Sequence, residues 1–169
     1  FTGSASVCSR MKDRAGKKKV VLELGGNAGV IVDASANIDW AVKRCLIGAF
    51  AYAGQVCISV QRMFVHESIW DEFMTKFVAG VAALKVGDPL DPTTDVGPMV
   101  DANQASRTQR WVDEAVALGG TLLAGGTADG NFFPPTILTG VPLTAQVCSN
   151  EAFAPLVVAF PFSDLDEAT

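Results

Sequence analysis

Histidine is nearly absent from this chain of 169 residues: His66 is the single one. It reads as the far end of a strand that begins just after Cys57, which places it roughly 20 Å or more from that thiol. A cysteine–histidine hydrolase site within the chain is therefore not expected, and His66 reads as a surface residue at a strand end. No two of the four cysteines are spaced CxxC, so neither a zinc site nor a redox dithiol is indicated and no metal is expected. There is no signal peptide and no apolar run long enough to span a bilayer. With unpaired cysteines this points to a reduced, cytoplasmic protein without membrane partners. The chain has no GxGxxG fingerprint and no P-loop. It also has no internal repeat, linker or low-complexity segment. Charge is scarce too: charged residues make up 18%, against about 25% in an average soluble domain. That shortage suggests surface meant to be covered.

What is present is apolar and mildly acidic. Hydrophobic residues make up 49% and the net charge is -5, which gives nucleic acid no general basis for binding. One basic run, Lys12, Arg14, Lys17, Lys18 and Lys19, sits at a predicted helix end, where cations suit the helix dipole. A phosphate-facing role is the other reading of that run. The length is enough to bury roughly 70% of the unfolded surface in one core.

Hydrophobic spacing predicts a helix from Ser4 to Ala15 that Gly16 stops. Val20–Leu24 and Val30–Val32 read as short buried strands. Asn37 caps a helix from Ile38 to about Ala53, and Gln61–Val65 is a strand. Ser68 is expected to cap a long helix with Ile69, Phe73, Phe77, Val81 and Leu84 on one face. A turn-rich loop precedes a helix from Asp101 or Ala102 to about Leu118. Thr121–Ala124, Phe133–Leu138 and Leu156–Phe160 read as extended. Strands alternating with helices predict an α/β fold with a largely parallel sheet and flanking helices. Such folds gather their sites in the loops after the strands. Both ends, Phe1-Thr2-Gly3-Ser4 and Asp164 to Glu167, read as cut through larger elements.

Four features can carry chemistry. Cys57 lies in Gly54-Gln55-Val56-Cys57-Ile58-Ser59, a glycine loop between a buried helix and a strand. That placement suits access, although free cysteines are usually packed in cores. A free thiol is only a few per cent ionised near neutral pH unless its site favours the thiolate. Glu23 stands between two leucines. It is either a carboxylate on a half-exposed strand or a buried base for proton abstraction. Gly25-Gly26 is either a tight turn or a bare backbone that a flat ligand can approach. Glu151, beside Phe153 and Pro155, is either a loop carboxylate or part of a ligand rim.

Together these segments resemble the aldehyde dehydrogenase superfamily. The matching pieces are Phe1-Thr2-Gly3-Ser4, Leu22-Glu23-Leu24-Gly25-Gly26, Gly54-Gln55-Val56-Cys57, Gly87-Asp88-Pro89, Gly97-Pro98, Phe133-Pro134-Pro135-Thr136 and Glu151-Ala152-Phe153-Ala154-Pro155. They occur in the family's order, with Glu23 34 positions before Cys57, and they cover essentially the whole chain. The resemblance implies NAD(P)-dependent oxidation of a small-molecule aldehyde to a carboxylic acid. Cys57 forms the thiohemiacetal and thioester, and Glu23 activates the hydrolytic water. Glu151 binds the nicotinamide ribose, with Phe153 and Gly25 at the nicotinamide, Gly3 and Ser4 at the cofactor-domain edge, and Gln104 a further cofactor contact by position. It implies a homo-oligomer as well.

By the same resemblance, residues 1–24 are a remnant of a cofactor-binding domain with its connecting strand. Residues 25–169 are the catalytic thiol domain, truncated at its C-terminus. The family's oxyanion-hole asparagine and adenosine-binding lysine have no counterpart, and losing one oxyanion donor costs about 10²–10³ in rate. Asn150 stands where the family is frequently acidic. The expectation is therefore that NAD or NADP serves the complete enzyme, and that this chain alone binds none and is inactive. The residues after Cys57 are similar to the branch with lactaldehyde and non-phosphorylating glyceraldehyde-phosphate enzymes. A CoA-acylating relative generally lacks the glutamate, so Glu23 argues against it. A non-catalytic module that dimerises through apolar faces and a cofactor-independent thiol esterase are the alternatives.

Overall fold

The computed structural model describes residues 1–168. Thr169 and the side chain of Glu167, the last carboxylate noted in the C-terminal segment, lie outside the described residues. Ten elements follow in order: α1 (Ala5–Arg14), β1 (Ala28–Val32), α2 (Ile38–Phe50), β2 (Val60–His66), α3 (Trp70–Ala82), α4 (Ala102–Ala117), β3 (Thr121–Ala124), β4 (Thr136–Thr139), α5 (Gln146–Ser149) and β5 (Leu156–Phe162). The strands form one sheet in the order β1-β2-β5-β4-β3. All neighbours are parallel except β3 and β4. This is the α/β, largely parallel sheet with flanking helices that the alternation predicts.

Two cores cover the two faces of this sheet. One packs α2 and α3 through Val42, Phe50, Phe73 and Phe77 against Met63, Val65, Val157 and Ala159. The other packs α4 and the α5 region through Val112 and Val147 against Leu138, Leu156 and Val158. Strand side chains alternate between faces, so neighbours on β5 serve opposite cores. Phe73, Phe77 and Phe50 stack in a row, with ring centroids 5.7 and 6.1 Å apart.

Capping explains several element starts. The Asn37 side chain accepts from the Trp40 amide at the start of α2, and Asp101 accepts from the Gln104 amide at the start of α4. Each satisfies a backbone donor that the first turn leaves unpaired.

The structure corrects three expectations about these elements and adds one element. Val20–Leu24 is not a strand: its pairing is limited to Phe1, Thr2 and Gly3, through a single parallel bridge between Thr2 and Glu23 and a bond from the Phe1 amine to the Val21 carbonyl, too short for a ladder. Ser68 does not cap α3. A 3₁₀ turn over Glu67–Ile69 intervenes, and the Ser68 amide donates to the His66 ring. The helix from Ile38 stops at Phe50 rather than Ala53, because Tyr52 and Ala53 adopt φ of 54°. The one-turn helix α5 had no expected counterpart.

Candidate active site

The chain reverses sharply after α2. Tyr52, Ala53 and Gly54 are consecutive left-handed residues, with φ of 54°, 54° and 64°. The first two each cost about 1–2 kcal/mol against the ordinary conformation. The turn brings the chain against the 151–155 segment: a Cβ on Gly54 would lie 2.0 Å from the Ala154 carbonyl oxygen. Only glycine fits there. Gln55 then anchors the loop, its Oε1 accepting from the Val100 amide at 2.9 Å. A turn from the Val56 carbonyl to the Ser59 amide presents Cys57 outward, exposed to solvent. Cys45 and Cys148 are buried, and burial pushes each of their thiols up to about 11.

The Gly25-Gly26 pair lies alongside, in irregular chain rather than the turn the sequence suggests. A Cβ on Gly26 would lie 3.4 Å from the Cys57 carbonyl oxygen. Glu151 reaches the same glycine pair: its Oε1 accepts from the Gly26 amide at 3.1 Å, and its Oε2 would be 1.8 Å from a Cβ on Gly25. Glu151 thus lies on bare backbone that any side chain would displace. Phe153, with φ of 48°, follows on the strained loop.

Gly25, Gln55, Cys57, Glu151 and Phe153 line one cleft of about 550 Å³. Cys57, Gly3, Ser4, Gly25, Gln104, Glu151 and Phe153, all singled out from the sequence, meet in it. Glu23 does not. It is exposed, its backbone pairs with Phe1 and Gly3, and the cleft is lined by its neighbours Leu24 and Gly25 instead. The buried form considered for Glu23 is therefore not the one observed.

Sequence reading overlooked Arg107. It lines the cleft, donates from Nη2 to the Ala152 carbonyl at 2.5 Å and lies 4.8 Å from the Trp111 ring centre. Burial lowers its pKa, and the nearby Glu151 charge opposes that effect. Its signal was the spacing of three from Gln104, which puts both on one helix face. Among the described residues no group of three metal-ligating side chains converges, and no helix is long and apolar enough to cross a membrane.

A largely parallel α/β domain with an exposed loop thiol in a cleft beside two consecutive glycines is the class that fold and site define. The comparisons narrow it. The family model described as the aldehyde dehydrogenase family matches residues 1–169, and the chain belongs to that family. It is 42% identical over 167 residues to the 3-sulfolactaldehyde dehydrogenase of Priestia megaterium, covering 99% of this chain and 35% of that protein. It is 43% identical over 168 residues to aspartate-semialdehyde dehydrogenase 1 of Pseudomonas canavaninivorans, with 99% and 36% covered. Among solved structures, aldehyde dehydrogenase 21 from Physcomitrella patens, in complex with the reaction product succinate, superposes with a TM-score of 0.96. That pair is 46% identical and covers 99% of this chain and 35% of the other. The chain spans about a third of the length of the curated relatives it matches.

Proposed function

We propose that this chain is the thiol-bearing part of an NAD(P)-dependent aldehyde dehydrogenase that converts an aldehyde to a carboxylic acid. The observation that carries the proposal is the convergence of exposed Cys57, Gly25 and Glu151 on one cleft, with Glu151 held on the Gly26 amide. The Cys57 thiolate adds to the aldehyde carbon, forming a carbon–sulfur bond and a thiohemiacetal. Covalent capture of this kind divides one hard step into two. A nicotinamide dinucleotide, when bound, supplies the acceptor for the hydride. Glu23 takes a proton from the water that hydrolyses the Cys57 thioester, which releases the acid and restores the thiol. Its exposure in the structure makes a carboxylate that turns toward the cleft part of the proposal.

The cleft fits the nicotinamide end of such a cofactor. Gly25 offers a surface without a side chain, and Glu151, Phe153, Gln104 and Arg107 surround it. In this reading Glu151 binds ribose hydroxyls, and Gly3 and Ser4 form the near wall. The branch with 3-sulfolactaldehyde, semialdehyde and lactaldehyde enzymes suggests a small aldehyde. Residues 1–24, of which Cys8 alone is buried, act as the edge of a cofactor domain, and residues 25–169 as the thiol domain. Four free thiols support a reducing, cytoplasmic setting. Exposed Trp40 and Ile47 on the outer side of α2 support self-association.

The test is acyl transfer from an activated nitrophenyl ester. One burst of nitrophenol per chain is expected, lost in Cys57→Ala. In Glu23→Gln the burst remains, while the later steady release falls by about 10²-fold or more. A burst that survives Cys57→Ala would sink the proposal. The chain alone is expected to give no NADH from an aldehyde, because its 169 residues contain no dinucleotide phosphate-binding fingerprint. Steady NADH production would overturn that expectation. The ester burst without any NADH at full length would favour the esterase reading.

A further inference from the structure

We infer that Gln61 is a positioning residue for the loop that carries Glu151 and Phe153, an inference that rests on the dehydrogenase reading for its functional meaning. Gln61 is the second residue of β2, four positions after Cys57, and it is 4% exposed. Its Nε2 donates to the Val147 carbonyl at 2.7 Å and to the Asn150 carbonyl at 2.6 Å. Its Oε1 accepts from the Ala152 amide at 2.8 Å. Both amide donors and one acceptor lone pair are therefore used on one six-residue stretch.

The need arises from α5. It is a single turn, so its last carbonyls have no helical partners. Gln61 caps two carbonyls of this region from β2, the strand that follows the Cys57 loop. Asn27, directly after the double glycine, caps from the other side: its Nδ2 donates to the Cys148 carbonyl at 2.8 Å and to the Asn150 carbonyl at 3.0 Å. Arg62 Nε holds Asn27 Oδ1 at 2.8 Å. Glu151 thus sits between two fixed points, the Asn150 carbonyl and the Ala152 amide. Its carboxylate is delivered to the Gly26 amide rather than swinging into solvent. One side chain sets the spacing between the thiol loop and the Glu151 loop.

The Gly26 amide reports this directly, because its proton is shared with the Glu151 carboxylate. The Gly26 amide of the chain is expected to exchange about tenfold or more slowly than an unstructured peptide, and Glu151→Ala to remove that protection. In Gln61→Met, similar in shape but without the hydrogen bonds, the Gly26 protection is expected to fall about fivefold or more. Val158→Ala, a core cavity away from the loop, is expected to leave it unchanged. Gly26 protection that persists in Gln61→Met overturns the assignment.

A second measurement needs no variant. The Ala152 amide of the unmodified chain is expected to exchange about tenfold or more slowly than an unstructured peptide. Unprotected exchange there overturns the assignment even if Gln61→Met does not fold. Neither readout involves turnover. The anchor can therefore fail while Cys57 still forms its acyl adduct, and the Cys57 chemistry can fail while the anchor stands.

Discussion

Replacing Gly54 by alanine isolates the contact that joins the thiol loop to the Glu151 loop. Two separable costs apply. The first is conformational: at φ +64° a residue with a Cβ loses about 1–2 kcal/mol relative to glycine. The second is steric. The new Cβ would lie 2.0 Å from the Ala154 oxygen, 2.4 Å from its carbonyl carbon and 2.8 Å from the Pro155 nitrogen. All three are backbone atoms, so no rotamer change relieves the clash, and overpacking of this kind costs about 1–3 kcal/mol.

Gly130 provides the control, with φ +60° and nothing within 4 Å of its would-be Cβ. Gly130→Ala therefore carries the conformational cost alone. Urea denaturation should place Gly130→Ala about 1–2 kcal/mol below the parent and Gly54→Ala about 2–5 kcal/mol below it. At about 2–4 °C per kcal/mol for a chain of this size, the two melting temperatures separate by several degrees. Gly54→Ala should also slow alkylation of Cys57, since the loop must back away from Ala154. Equal losses in the two variants would refute the interlock between the loops.

Cys57 should react with iodoacetamide first, with Cys8, Cys45 and Cys148 protected until unfolding. Burial holds the Cys45 and Cys148 thiols at about 11, so near pH 8 only on the order of one in 10³ is thiolate. Peptide mapping of the labelled chain checks this, and uniform labelling of all four would contradict it. The same two thiols bind their protons more tightly when folded than when unfolded. Stability should therefore fall as pH rises from the unfolded thiol range toward about 11, and Cys45→Ala should flatten that decline in denaturation curves. Asp91 behaves with the opposite sign. Its hydrogen bond from Lys85, with those from Thr93, holds its pKa below the usual value. Its contribution is present at neutral pH and lost as pH falls through the carboxylate range, so Asp91→Asn should show a weaker acid dependence of melting temperature.

Much of the architecture was legible because hydrophobic period and capping chemistry act locally. The 3.6-residue spacing of Phe73, Phe77 and Val81 marked α3, and Asn37 and Asp101 marked the starts of α2 and α4. The errors fell where a distant partner decides. Val20–Leu24 has strand composition, but a strand needs a neighbour along its length, and only Thr2 bridges to it. Ser68 has a capping side chain, but its hydroxyl is engaged with the His66 ring two residues back. The antiparallel direction of β3 depends on its pairing with β4, which no local pattern encodes.

The candidate site divides in the same way. The sequence alone identified the thiol in its glycine loop, the double glycine and the carboxylate before Phe153, because each motif is short and its residue types are set by chemistry. Tertiary structure decided that Cys57, Gly25, Gln104 and Glu151 share one cleft while Glu23 stands outside it. It also decided that Arg107 joins them, that Gly54 is pressed on Ala154, and that Gln61 completes α5. These are meetings between residues up to 126 positions apart in the chain, as Gly25 and Glu151 are. They exist only once the sheet has brought the ends of β2 and β5 side by side, since hydrogen bonds and steric contacts act over a few ångströms.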